Sequence, residues 1–146
     1  MSSAVERQAI VPYSAAAMFE LVANVEAYPE FLPWCTSARV RHRGDGSVEA
    51  TLEAVKGPLR IAFTTRNIVH EPERLDMHLV EGPFSHLEGR WEFTDLDEDR
   101  SRIRLHMSFE FSRHLIAAAI APIFEDIAGT MVEAFRRRAD RVYGRA

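Results

Sequence analysis

The chain reads as an α+β domain in which a curved, seven-stranded antiparallel sheet wraps a long C-terminal helix. Three observations predict this. Leu115, Ile116, Ala119, Ile120, Ile123, Phe124, Ile127, Met131 and Phe135 recur at steps of three and four, an apolar stripe on one helical face. Just upstream, Ile103, Leu105, Met107, Phe109 and Phe111 alternate with Arg102, Arg104, His106, Ser108 and Glu110, the period of a half-buried strand. A series of similar alternating segments precedes them, and their shared apolar face needs a cover that only the last helix is long enough to provide.

The elements follow in order. Val5 to Val11 makes a first strand closed by Pro12. Ser14 is placed to cap a helix running to about Val22, and Asn24 a second short helix stopping near Pro29, because proline disfavours helical geometry in the residue before it. Thr36 to Arg43 and Val48 to Val55 flank a Gly44-Asp45-Gly46 turn. Leu59 to Val69 follows the Gly57-Pro58 break, Leu75 to Val80 follows Glu71-Pro72-Glu73, and Leu87 to Thr94 follows Gly82-Pro83. An acidic turn leads to Ile103 through Phe111. The short connections predict antiparallel neighbours. Within the last helix, Pro122 predicts a kink or restart, and Gly129 predicts space beneath the helix.

Bulk composition bounds the function. The 146 residues predict one domain over 1–146, and 47% apolar with 27% charged residues is the balance of a soluble globular protein. A net charge of −4 argues against DNA as a partner. Cys35 is the only cysteine, which suits a reducing cytoplasm, and no apolar run approaches the ~20 residues of a membrane span. No signal peptide is expected at the N-terminus. Arg136, Arg137, Arg138 and Arg141, with Arg145, crowd the end of the helix. They either favour a helix C-terminus or form a docking surface for phosphates or anionic lipid.

Catalytic and metal-ligating patterns are weak. None of the six histidines is paired at metal-ligand spacing on a helix, and Gly44-Asp45-Gly46 opens no helix that would cradle a phosphate. No catalytic residue and no metal ligand is therefore assigned, and Cys35 reads as a small buried apolar residue. The inward faces carry a surplus of large, soft groups instead: Phe63, Met77, Trp91, Met107 and Phe109 from the sheet, and Phe124, Ile127 and Met131 from the helix. Such groups serve either as plain core or as the wall of a pocket for an apolar molecule. Thr65 and Asn67 interrupt an otherwise apolar face, so protein, water or a ligand head group must satisfy them. The loop Tyr28 to Trp34, with Phe31 and Leu32 between, is too apolar for an ordinary surface connection. It either gates a pocket or plugs the open end of the sheet.

Several blocks resemble a known family: Val11-Pro12-Tyr13-Ser14, Met18-Phe19-Glu20-Leu21-Val22, Tyr28-Pro29-Glu30-Phe31-Leu32-Pro33-Trp34-Cys35, Phe63-Thr64-Thr65-Arg66-Asn67, Glu81-Gly82-Pro83-Phe84 and Phe109-Glu110-Phe111-Ser112. Together they are similar to the bacterial relatives of the coenzyme Q-binding proteins, a group that includes the ribosome association toxin RatA and chains labelled oligoketide cyclase or lipid transport protein. The resemblance spans nearly the whole chain. It implies a helix-grip, START-like fold, with a ubiquinone-like polyprenyl lipid held between sheet and helix in support of respiration. For the toxin-named members it implies binding to the large ribosomal subunit, and for the cyclase-labelled ones polyketide cyclisation. The leading expectation is a non-enzymatic binder of a hydrophobic small molecule, needing no cofactor apart from a bound ubiquinone or other lipid. Such a protein would be cytoplasmic, with transient contact to the inner membrane surface. The ribosome-binding inhibitor is the alternative, and a cyclase stands third.

Overall fold

The computed structural model describes residues 3–112 and 114–144. It runs β1 (Ser3–Val11), α1 (Ala15–Ala23), a 3-10 helix (Val25–Glu30), β2 (Cys35–Gly44), β3 (Ser47–Lys56) and β4 (Leu59–His70). It continues with β5 (Arg74–Glu81), β6 (Phe84–Asp97), β7 (Arg100–Phe111), α2 (His114–Gly129) and α3 (Met131–Tyr143). All strands join one sheet in the order β1-β7-β6-β5-β4-β3-β2, every pair antiparallel. Sequential hairpins join β2 through β7, and β1, the first strand of the chain, pairs with β7 at the opposite edge from β2, with Val5 opposite Met107.

Period-two burial sets the inner face. Ile103, Leu105, Met107, Phe109 and Phe111 are buried along β7, as are Leu59, Ile61, Phe63, Thr65 and Asn67 along β4. The alternation expected from the sequence is therefore the one that faces the helices. Real strands run one to three residues beyond the sequence-based bounds, most clearly at β6, which starts at Phe84 behind an irregularity between Phe84 and His86.

The C-terminal cover is two helices rather than one continuous rod, and the break falls at Thr130 rather than at Pro122. Pro122 leaves the carbonyl of Ala118 without its helical donor, but both residues are exposed, so that carbonyl lies on the solvent side where water can satisfy it. Thr130 instead ends α2: its N–H donates to the carbonyl of Ile127 at 3.1 Å and its Oγ1 donates to the same oxygen at 2.8 Å. Gly129 does not open space over the sheet. A Cβ there would stand 3.2 Å from Nη2 of Arg7, so this glycine admits a β1 guanidinium against the helix end. Among residues expected on the apolar stripe, Ala119 is exposed, and the side chains of Leu115 and Ile116 lie outside the described residues, as does Arg145. The stripe that does face inward is Ile120, Phe124, Ile127, Ala128, Met131, Phe135 and Ala139.

Two aromatic knots close the grip. Phe124 makes edge contacts with Phe63, Phe84, Phe109 and Phe111, and Phe84 stacks on Phe111 at 4.5 Å. Phe135, fully buried, contacts Trp91, Tyr28 and Phe31 with centroids 5.2 to 5.4 Å apart. The outer face carries polar groups the sequence did not single out. Asp76 is buried between Arg90 at 2.8 Å and Arg74 at 3.2 Å, and Thr64 meets Thr51 at 2.7 Å. Burial opposes ionisation of Asp76, but Arg90, then Arg74 and His70, outweigh it and hold the carboxyl below its usual range.

Phe135→Ala should lower stability by about 3–5 kcal/mol, since it leaves a ring-sized void where three aromatic contacts meet. Urea unfolding measures this directly. A loss below about 1 kcal/mol would mean that the helices are not held by that knot.

Candidate functional site

Between the two knots the inner face and the helices do not meet completely. A cavity remains, walled on the sheet side by Ala50, Leu52, Phe63, Thr65, Asn67, Met77, Leu87, Gly89, Trp91 and Met107. Phe124, Ile127, Ala128 and Met131 roof it from the helices, and Val25, Tyr28 and Trp34 close its side. Its volume is about 50 Å³, counted as space open to the centre of a water molecule. That holds a few waters. A benzene-sized guest needs roughly 150 Å³. Three of the wall residues are methionines, unbranched and able to swing between rotamers, so Met77, Met107 and Met131 are the groups whose movement would enlarge the space.

Most of the residues singled out by sequence meet here: Tyr28, Trp34, Phe63, Thr65, Asn67, Met77, Trp91, Met107, Phe124, Ile127 and Met131. Three do not. Phe109 is spent in the knot around Phe124, while Phe31 and Leu32 face an outer groove beside α3. Val25, Ala50, Leu52, Leu87, Gly89 and Ala128 line the cavity without having been singled out. Face parity alone would have found Ala50, Leu52 and Leu87, all inward positions of their strands. Gly89 is where the wall approaches most closely, since a Cβ there would collide with Cε of Met77 at 2.4 Å.

The loop from Tyr28 to Trp34 folds inward. Tyr28, Leu32 and Trp34 are buried and Phe31 is half-buried against Phe135. The Tyr28 hydroxyl donates to the carbonyl of Val22 at 2.5 Å, and burial pushes its pKa far up, so it stays neutral and engaged. Thr65 and Asn67 face each other, with Thr65 Oγ1 donating to Asn67 Oδ1 at 2.9 Å. The two amide hydrogens of Asn67 have no acceptor among the described residues, and the same residue also borders an outer pocket on the other side of the wall, where water can reach it. Among the described lining there is no carboxyl, imidazole, amine or thiol. Cys35 lies outside the lining, buried, its pKa pushed up to about 11 by burial, so its thiol is not activated. No cluster of metal-ligating side chains occurs among the described residues.

The α3 arginines form ion pairs. Arg136 and Arg137 share Glu133, with Nε–O distances of 2.9 and 3.0 Å, and Arg136 foremost holds that carboxyl down at about 2. Arg138 pairs with Glu30 at 2.7 Å and lies over the ring of Phe31, 4.9 Å from its centroid. Arg141 is exposed and makes no hydrogen bond or ion pair among the described residues. Exposed pairs of this kind are worth about 0–1 kcal/mol and exchange easily for other anions.

A bent antiparallel sheet closing on C-terminal helices, with an apolar gap between them, defines the START-like helix-grip class. A START superfamily protein from Mycobacterium smegmatis superposes with a TM-score of 0.78 at 22% identity, covering 95% of this chain and 98% of that one. The chain belongs to the polyketide cyclase / dehydrase and lipid transport family, which it matches over residues 11–136. It is 41% identical to the ribosome association toxin RatA of Pseudomonas aeruginosa, over 99% of this chain and 100% of that one. It is 29% identical to the mitochondrial coenzyme Q-binding protein COQ10 homolog B of Xenopus laevis, over 93% of this chain and 57% of that one. No described helix is long and apolar enough to cross a membrane.

Proposed function

We propose that the protein binds a hydrophobic small molecule between sheet and helices, a ubiquinone-like polyprenyl lipid being the class that fits best. The observation that carries this reading is the Thr65–Asn67 pair, whose amide keeps donor capacity beside an otherwise apolar space, which suits a carbonyl oxygen on an otherwise greasy ring. The family's lipid-transport members and the coenzyme Q-binding relative support the same class. Affinity would come from desolvation, at ~25 cal/mol per Å² of apolar surface withdrawn from water. The ring enters by displacing methionine side chains, and the site orients it through Thr65 and Asn67. A cytoplasmic protein meeting such a ligand would load at the inner membrane surface. A cyclase reading ranks lower, because the described lining offers only Tyr28, already committed to Val22, as a proton carrier.

A second reading, docking on the large ribosomal subunit, is favoured by the toxin-named relative of near-equal length and by the row of arginines along α3. Exposed ion pairs would be exchanged there for RNA phosphates.

Two measurements separate these readings. A short-chain ubiquinone should quench the fluorescence of Trp34 and Trp91, and Asn67→Leu, similar in size, should weaken its binding about two- to tenfold, the worth of one hydrogen bond. Absence of quenching, with no isoprenoid in solvent extracts of the purified protein, would sink the lipid reading. Arg137→Glu with Arg138→Glu should abolish co-sedimentation with large subunits at low salt and leave binding of a tailless quinone ring unchanged. A wild-type protein that never sediments with subunits at any salt concentration removes the ribosomal reading.

A further inference from the structure

We propose that the groove outside Trp34 is the tail site of the same ligand: the ring sits inside near Asn67 and the polyprenyl chain leaves past Trp34 to lie between the Phe31–Trp34 loop and α3. The inference rests on the quinone reading above and adds an orientation and a second compartment to it.

The inner cavity, at about 50 Å³, must already expand to take a ring, and it has no room for a chain of several five-carbon units. The outer groove is about ten times larger, near 530 Å³ by the same measure. Its apolar lining is Phe31, Leu32, Pro33, Val55 and Ala134, beside the charged side chains of Lys56, Glu133, Arg137, Arg138 and Arg141. Among the described residues only Trp34 lines both spaces. The other side of this partition is the α2–α3 break, where Thr130 faces the groove and the adjacent Met131 faces the cavity. A single indole and a helix discontinuity therefore separate the two compartments.

Polarity then sets the direction. The backbone of Trp34 is bonded to Val55, whose partner on β4 is Arg60. Asn67 lies seven residues further along β4, about 23 Å of strand. The cavity thus has a hydrogen-bonding end at Asn67 and an aromatic end at Trp34. The outer pocket at the Asn67 end, which Asn67 itself also lines, is smaller, about 330 Å³ by the same measure. Head at Asn67 and tail through Trp34 places the ring beside the hydrogen-bonding pair and the chain in the larger of the two outer spaces.

The test is a series of 2,3-dimethoxy-5-methylbenzoquinones carrying no, one or two isoprene units, titrated against the wild type and Ala134→Trp. Each methylene buried in the groove is worth about fourfold in affinity, so each isoprene unit should tighten wild-type binding at least tenfold. Ala134→Trp, which fills the groove, should flatten that dependence and leave the tailless ring unaffected. Because Ala134 is half-buried, a second measurement uses the wild type alone: a diazirine at the end of the two-unit chain should label peptides containing Val55 or Ala134. Chain-length-independent binding by the wild type would overturn the proposal. So would a full chain-length response in folded Ala134→Trp, or labelling of the Phe19, Val48 and Leu75 wall instead. Failure of every member to bind overturns the quinone reading itself and this inference with it.

Discussion

Seven strands spaced about 4.8 Å apart make a sheet roughly 29 Å wide, and a helix with its side chains is only about 10 Å across. That mismatch governs the molecule. One apolar sheet face must be kept from water, and a single helical layer cannot cover it while the sheet stays flat. The sheet therefore bends around α2 and α3, and α1, the 3-10 helix and the loop to Trp34 fill in at the side. Two aromatic knots, around Phe124 and around Phe135, fix the helices at two points, and the space between them is where the contact is incomplete.

The incompleteness has a particular chemistry. Beside the branched Val25, Leu52, Leu87 and Ile127, the gap is lined by three methionines, whose side chains rearrange at small cost. The one hydrogen-bonding feature on the β4 side is a Thr65–Asn67 pair with donor capacity to spare. A purely structural core would be expected to replace that pair with Val and Leu, removing two polar groups from an otherwise apolar lining. Met77 packs directly over Gly89, and Met131 follows the helix break at Thr130. These features together, rather than volume alone, set the region apart from ordinary packing.

Much of this was legible in the sequence, for a local reason. Period-two alternation in β4, β6 and β7 and the helical stripe from Ile120 to Phe135 are short-range patterns. They assigned inward faces, and from them Phe63, Trp91, Met107, Phe124 and Met131, without knowledge of partners. What was missed depends on residues far apart in the chain. Gly129 looked like space because its contact with Arg7 spans the whole domain, and Pro122 looked like a break because its exposure on the solvent side was not visible. Phe109 has the right parity for the cavity but is drawn into the knot around Phe124. Phe31 and Leu32 belong to the apolar loop as expected, yet they face the outer groove, a placement set by α3 rather than by their neighbours.

The central claim is that the space between sheet and helices opens for an apolar ring when methionine side chains yield. Methyl resonances of methionine report on this directly, because Met18, fully buried elsewhere in the core, serves as an internal reference. On titration with a short-chain ubiquinone, the methyl signals of Met77, Met107 and Met131 should shift and saturate together while that of Met18 stays in place. Three unmoved cavity signals at saturating quinone would contradict the account and leave the interior as a packed core.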